Sequence, residues 1–224
     1  KQIGILLTLF ALAIPLGAQM GMMGPQMPDM SGIWHPIVGS GGAYELTDSS
    51  GKKSQLEITI VGKGDVADKT AYWMEMAMAS PRSGGDMYMK YLIAPGQSGT
   101  TSTRMIMQQS GQDPMEMDMN MMNMGGRKPA TPSDVRDKAE RIGTESITVP
   151  AGTFSCEHYR AKDGSSDVWI SDKVAPWGLV KTQGKNSSMV LTKVIIDAKD
   201  HITGSPKKFD PMQMMRDHMG QPSQ

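Results

Sequence analysis

The chain has 224 residues and a single cysteine, Cys156. One thiol excludes any intramolecular disulfide, so the fold has to be held by its core. Aromatic residues are scarce at 5 %, with only 3 Phe, so the usual volume fillers are missing. Charge of either sign is not in excess: 23 basic residues balance 23 acidic ones. That balance argues against a nucleic-acid footprint and against a polybasic membrane patch. No G-x-S-x-G, Walker A or H-E-x-x-H pattern occurs, and the histidines at 35, 158, 201 and 218 are widely dispersed. No nucleophile–base pair can be assembled from motifs, so the reading is of a non-enzymatic protein with no cofactor.

What the chain has instead is methionine, 23 residues of it, with Gly 25 and Pro 14 for turns. The first stretch, KQIGILLTLFALAIPLGAQ, has the layout of a secretory signal peptide. Lys1 is the positive end, Ile5 to Leu16 the apolar run, and Gly17-Ala18 the small residues before cleavage. The apolar run is shorter than the ~20 residues a spanning helix needs. The expected address is therefore periplasmic or secreted, with no transmembrane span after cleavage at 18. Residues 19–32, rich in Met, Gly and Pro, lack periodicity and read as a flexible mature N-terminus.

From residue 33 the pattern alternates with period two, which marks half-buried strands. Strands are expected at Gly42–Leu46, Gln55–Val61, Thr70–Ala79, Met87–Ala94, Ser102–Gln108 and Met115–Met122. A Pro- and charge-rich connector, GGRKPATPSDVRDKAE, follows and has room for one helical turn. Strands resume at Glu145–Val149, Thr153–Arg160, Asp167–Ser171, Leu179–Gln183 and Ser188–Ala198. Short turns between sequential strands make an antiparallel meander. The expected fold is mainly β, an open (half) barrel with a short C-terminal helix. It forms a single β domain over 33–204, with halves 33–124 and 140–204, followed by a tail over 205–224. In that tail Asp210 is an N-cap, Pro211 suits the first turn, and Met212, Met215 and Met219 share one helical face up to Gly220.

The alternation places methionine on one side of each strand in turn. Met74, Met76 and Met78 oppose Trp73 and Glu75. Met87 and Met89 oppose Tyr88 and Lys90. Met105 and Met107 oppose Arg104 and Ile106, and Met115, Met117 and Met119 oppose Glu116 and Asp118. Side by side in a meander, these ten form one apolar, adaptable surface fit for a lipid or a lipoprotein acyl chain. Glu75, Glu116 and Asp118 are then expected on the solvated side. Two alternatives stand beside this reading. Thioethers are soft ligands for Cu(I) or Ag(I), and Met212, Met214, Met215 and Met219 with His218 form a terminal cluster outside the strands. The chain also suits a structural module of the envelope, with an envelope protein as partner at the tail helix.

Three smaller features have plain readings. GKGDVA at 62–67 has the form G-x-G-x-x-A, but no helix follows, so a hairpin is expected there. Asn186-Ser187-Ser188 fits a glycosylation sequon and reads as a hairpin turn. Cys156 reads as a small buried hydrophobe, since Cys156 and His158 alone supply only two metal ligands.

The segment Gly143–Thr182, GTESITVPAGTFSCEHYRAKDGSSDVWISDKVAPWGLVKT, carries a strand–VPAGTF–strand–W-x-S–P-x-GLVK pattern. It resembles uncharacterised exported bacterial β-proteins that are distantly similar to the LolA/LolB-like lipoprotein-carrier superfamily. VGSGGAYE, AYWMEM, MKYLI and DPMEMDM look like the same group. The resemblance implies an antiparallel sheet curled into an unclosed barrel whose concave apolar side holds acyl chains.

Overall fold

The computed structural model describes residues 34–79, 85–96, 99–117 and 139–209. Twelve strands form one sheet: β1 (Gly41–Thr47), β2 (Lys53–Val66), β3 (Lys69–Met78), β4 (Met87–Gly96), β5 (Gly99–Gln109), β6 (Met115–Met117), β7 (Ala139–Val149), β8 (Gly152–Ala161), β9 (Ser166–Ile170), β10 (Leu179–Gly184), β11 (Ser188–Ile195) and β12 (Lys207–Lys208). The spatial order is β12-β6-β5-β4-β3-β2-β1-β11-β10-β9-β8-β7. Strand β1 is therefore the seam. One meander, β2 to β6, runs out from one side of it, and a second, β7 to β11, returns to the other. Every pairing is antiparallel except the short β12–β6 contact. Mainly β, antiparallel and open rather than closed into a barrel, the architecture is the expected one. No helix occurs among the described residues. The C-terminal helix expected from 210 onward lies outside them.

The turns follow from their residues. Ala67 and Asp68 connect β2 to β3 with φ of 47° and 61°. Two positive φ values make the primed hairpin turn whose twist matches the strands. The GKGDVA stretch thus runs up β2 into a hairpin. Pro150-Ala151 closes the β7–β8 turn before Gly152, at φ +131°. At the β10–β11 turn the Gly184 N–H donates to the Ser187 carbonyl at 2.8 Å, as the sequon reading required.

At the seam, Gly41 lies so close to β2 that a Cβ would meet the Ile58 carbonyl oxygen at 2.1 Å. The core gathers beside it on Tyr44, Leu46, Leu56, Ile58 and Ile60, and continues through Phe154, Val168, Ile170, Leu179 and Leu191. The Tyr44 hydroxyl donates across the core to the Leu179 carbonyl at 3.1 Å. Burial pushes its phenol well above the usual range. Cys156 belongs to the same core and is fully buried.

After β11 the chain turns back over the outer side of β3 to β6, ending at β12 and Phe209. It is held there by Phe209 N–H donating to the Glu116 carbonyl at 2.8 Å and Lys207 N–H to the Pro114 carbonyl at 2.9 Å. This strap buries Ile202, which is 6 % exposed.

Candidate functional site

Register decides which methionines meet. Met76 pairs with Met89, Met89 with Met107, and Met107 with Met115. One register step along, Met74 pairs with Tyr91, Tyr91 with Met105, and Met105 with Met117. A third row pairs Met78 with Met87. Residues directly opposite in an antiparallel sheet share a side, with Cβ atoms about 4.5–5.5 Å apart. Nine of the ten sequence-chosen methionines therefore lie on one side, in three cross-strand rows. Met119, the tenth, lies outside the described residues, as do Met212, Met214, Met215, His218 and Met219.

Their burial varies from residue to residue along the rows. Met74, Met89 and Met105 are 3–4 % exposed. Met76 and Met78 pack partly buried against the core cluster. Met87, Met107, Met115 and Met117 are half-buried. Each of the deeply buried three contributes about 1.5–3 kcal/mol of transfer free energy. Two polar side chains share the rows: Gln109, opposite Met87, and Tyr91, whose hydroxyl donates to Met89 Sδ at 3.7 Å. Burial pushes its phenol up.

The opposite side of β3 to β6 corrects an expectation. Glu75 does not face solvent: it is 1 % exposed. The strap covers it, and His201 Nδ1 lies 2.6 Å from its Oε1 while the His201 backbone N–H donates to its Oε2 at 3.1 Å. Burial raises the Glu75 carboxyl above its usual range, and the hydrogen bonds from His201 oppose that shift without cancelling it. Tyr88 stacks on the imidazole at 4.9 Å, nearly parallel. Lys90, also buried, pairs with Asp200 of the strap. It lies over the Trp73 ring at 5.3 Å, and Arg104 lies over the same ring at 5.4 Å. Glu116 pairs with Arg104 through two bonds, at 2.6 and 3.0 Å. Asp118 lies outside the described residues. Sequence reasoning missed Glu75–His201 because the partners are 126 positions apart, and WMEMAM by itself shows only alternation.

His158 and Cys156, the pair singled out in the sequence, sit in structural surroundings. His158 gives one ring nitrogen to Glu145 at 2.9 Å and the other to Asp167 at 2.7 Å, and stacks on Trp169 at 4.5 Å. The Cys156 thiol is pushed up to about 11, by burial first and then by the Glu145 charge, which removes nucleophilic thiolate at neutral pH. Among the described residues no three His, Cys, Asp or Glu side chains are placed to hold a metal ion. Among them, too, no helix is long and apolar enough to cross a membrane, which says nothing of spanning strands.

Residues 64–216 match a family described as a domain of unknown function, DUF4412. No curated protein matches the sequence. Among solved structures, a candidate lipoprotein from Parabacteroides distasonis is 19 % identical with a TM-score of 0.36, covering 72 % of this chain and 97 % of its own. A candidate exported protein with a YmcC-like fold from Bacteroides fragilis is 15 % identical with a TM-score of 0.34, covering 72 % and 98 %. Likenesses that weak leave the functional assignment to this chain's own residues.

Proposed function

Because the chain belongs to the DUF4412 family, whose description names no activity, we propose a function from its own side chains. The protein is a non-enzymatic, exported envelope protein that holds an apolar ligand, a lipid or a lipoprotein acyl chain, on its methionine-lined side. The observation that carries this is segregation within one sheet. Around β1, β2 and β8 to β11 the inward positions are Tyr, Leu, Ile, Val and Phe, with Met189 the one methionine in the buried cluster outside β3. Across β3 to β6 nine methionines line the inward side, joined by Tyr72, Tyr91, Ile93 and Gln109. A static core gains uniqueness from stiff side chains, and methionine specifies it poorly. A surface that re-forms around varied apolar shapes gains from flexible, polarizable thioethers. The half-buried outer rows are where a chain would lie. The resemblance of Gly143–Thr182 to exported β-proteins distantly similar to lipoprotein carriers, and the secretory layout of residues 1–18, support the same reading.

The test is titration of delipidated protein with a fluorescent fatty-acyl probe, comparing wild type with Met107→Lys and Met115→Lys. Both sites are half-buried, so the fold tolerates the change, while a charge on the face weakens binding by about tenfold or more. A wild type that takes up no acyl probe, or variants that bind it equally well, overturns the proposal.

The register also favours one second reading. Met76, Met89, Met107 and Met115 stand side by side on four strands, and thioethers so placed suit Cu(I) or Ag(I). Under reducing conditions, Cu(I) binding that disappears when these four become leucine supports it. Leucine preserves the apolar face, so acyl binding surviving the same change separates the two readings.

A further inference from the structure

A cavity of about 510 Å³ opens on the other half of the sheet, away from the methionine rows, between β8, β9 and the loop 171–178. Its volume falls within the roughly 300–1,000 Å³ of small-molecule sites. Trp34 and Trp177 stand in its wall as a tilted pair, 5.5 Å between ring centroids and 52° between planes. Trp34 is tethered there because the His35 N–H donates to the Pro176 carbonyl at 2.6 Å.

The wall also holds an anomaly. Among the described residues, two buried side-chain polar atoms have no hydrogen-bond partner, Trp34 Nε1 and Ser171 Oγ. Both belong to residues lining this one cavity. Buried donors are nearly always paired, so two orphans in one wall call for an account. The rest of the lining narrows the ligand. Glu157 and Asp172 bring carboxylates, and Thr144 and Ser155 bring hydroxyls. No Lys or Arg is among the described lining residues, so an anion would meet two carboxylates with the His35 imidazole as the one possible countercharge among them. An acyl chain would face a wall in which hydroxyls and carboxylates interrupt the apolar surface.

We propose that this cavity binds a neutral polyhydroxylated ring, a saccharide unit. The indoles offer flat apolar surface to the C–H face of the ring. Glu157 and Asp172 accept from its hydroxyl groups. Ser171 Oγ and Trp34 Nε1 donate to its oxygens and so gain the partners they lack in the protein. Both atoms are sealed from solvent, so binding requires the Ser171 hydroxyl and the Trp34 ring to turn toward the ligand while the backbone tether through His35 holds. The site is separate from the methionine rows and does not rest on the acyl reading.

The full chain is titrated with three neutral disaccharides, maltose, cellobiose and N,N′-diacetylchitobiose. Binding is followed by tryptophan fluorescence and by saturation-transfer NMR. The expected result is saturable binding of at least one of them. Ser171→Ala weakens it about tenfold, the loss of one hydrogen bond, and Trp177→Ala abolishes it. Ser171→Ala removes an unpaired buried hydroxyl, so it unfolds at no lower urea concentration than wild type, which keeps the test valid if Trp177→Ala misfolds. Met107→Lys leaves saccharide binding unchanged, so failure of the acyl reading is read separately. Absence of binding by all three sugars up to about 10 mM, or binding that Ser171→Ala does not weaken, overturns the proposal.

Discussion

Replacing His201 with alanine strands a carboxylate. Glu75 is 1 % exposed, and its side-chain partner is the imidazole at 2.6 Å. Removing one member of a buried pair costs about 3–5 kcal/mol when nothing replaces it. Two features reduce that here. The His201 side chain is 45 % exposed, so water enters the space it leaves, and the residue 201 backbone N–H still donates at 3.1 Å. A loss of about 2 kcal/mol, the range of one hydrogen bond to a charged group, is the working figure. The loss depends on pH. Burial already holds the Glu75 carboxyl above its unfolded value, and the His201 bonds oppose that. Without the imidazole the folded value rises further. A carboxyl raised on folding adds stability that is full below its unfolded pKa and is lost as pH rises through the folded one. The variant loses it over a wider window than wild type. The deficit is therefore smaller near about pH 4 than near about pH 7. Urea unfolding at both values reads it directly through the midpoint at constant slope. In a Glu75→Gln background, where no charge is buried, His201→Ala costs only about 1 kcal/mol at either pH. An equal deficit at both pH values, or one below about 0.5 kcal/mol throughout, refutes the reasoning.

Three other outcomes follow from single sites. Met89→Ala, at 4 % exposure, destabilises the fold by about 2–5 kcal/mol in the same urea assay, whereas Met115→Ala, half-buried near the sheet edge, costs less than about 1 kcal/mol. Changing Ala67-Asp68 to Asn-Gly puts at these two positive-φ positions the pair that best tolerates them and raises stability by about 1–2 kcal/mol, read as a higher melting temperature. Cys156, fully buried with its thiol pushed up to about 11, reacts with an aromatic disulfide reagent at pH 8 no faster than the protein unfolds; labelling within seconds in the native state would contradict its place in the core.

What could be read in the sequence, and what could not, divides along one physical line. Period-two alternation reports a strand with one side buried. Wherever that held, as in β1 to β6, strand positions and inward sides were legible, but the register that sets which methionines share a row was not. It fails where both sides are wet or where the backbone alone does the pairing. β7 begins at Ala139, inside the segment read as a connector, because along this edge strand nearly every side chain through Thr148 is exposed or half-exposed. β12 is two lysines, both exposed, placed by main-chain bonds to β6. Nothing in their side chains announces a strand. The β11 strand stops at Ile195 rather than running to Ala198, since Asp197 takes a positive φ of 59° and turns the chain into the strap.

The strap also explains why Glu75 was misplaced. Alternation assigns a residue to a side of the sheet, but it does not say what lies over that side. With Trp73, Glu75, Tyr88 and Lys90 opposite the methionines, the sequence alone makes that side the wet one. The chain then returns from 126 positions away with Asp200, His201 and Ile202 and covers it. The cover is polar: an imidazole on a carboxylate, a carboxylate on an ammonium, and a ring stacked on a ring. Such pairs are directional, and each leaves a costly buried charge if it slips. Thioether packing on the other side has no such directionality. β3 to β6 are thus fixed from behind by contacts that tolerate little movement, and lined in front by side chains that tolerate a great deal. Under the proposed function, this division would keep the sheet in register while the methionine side re-forms around apolar chains of differing shape.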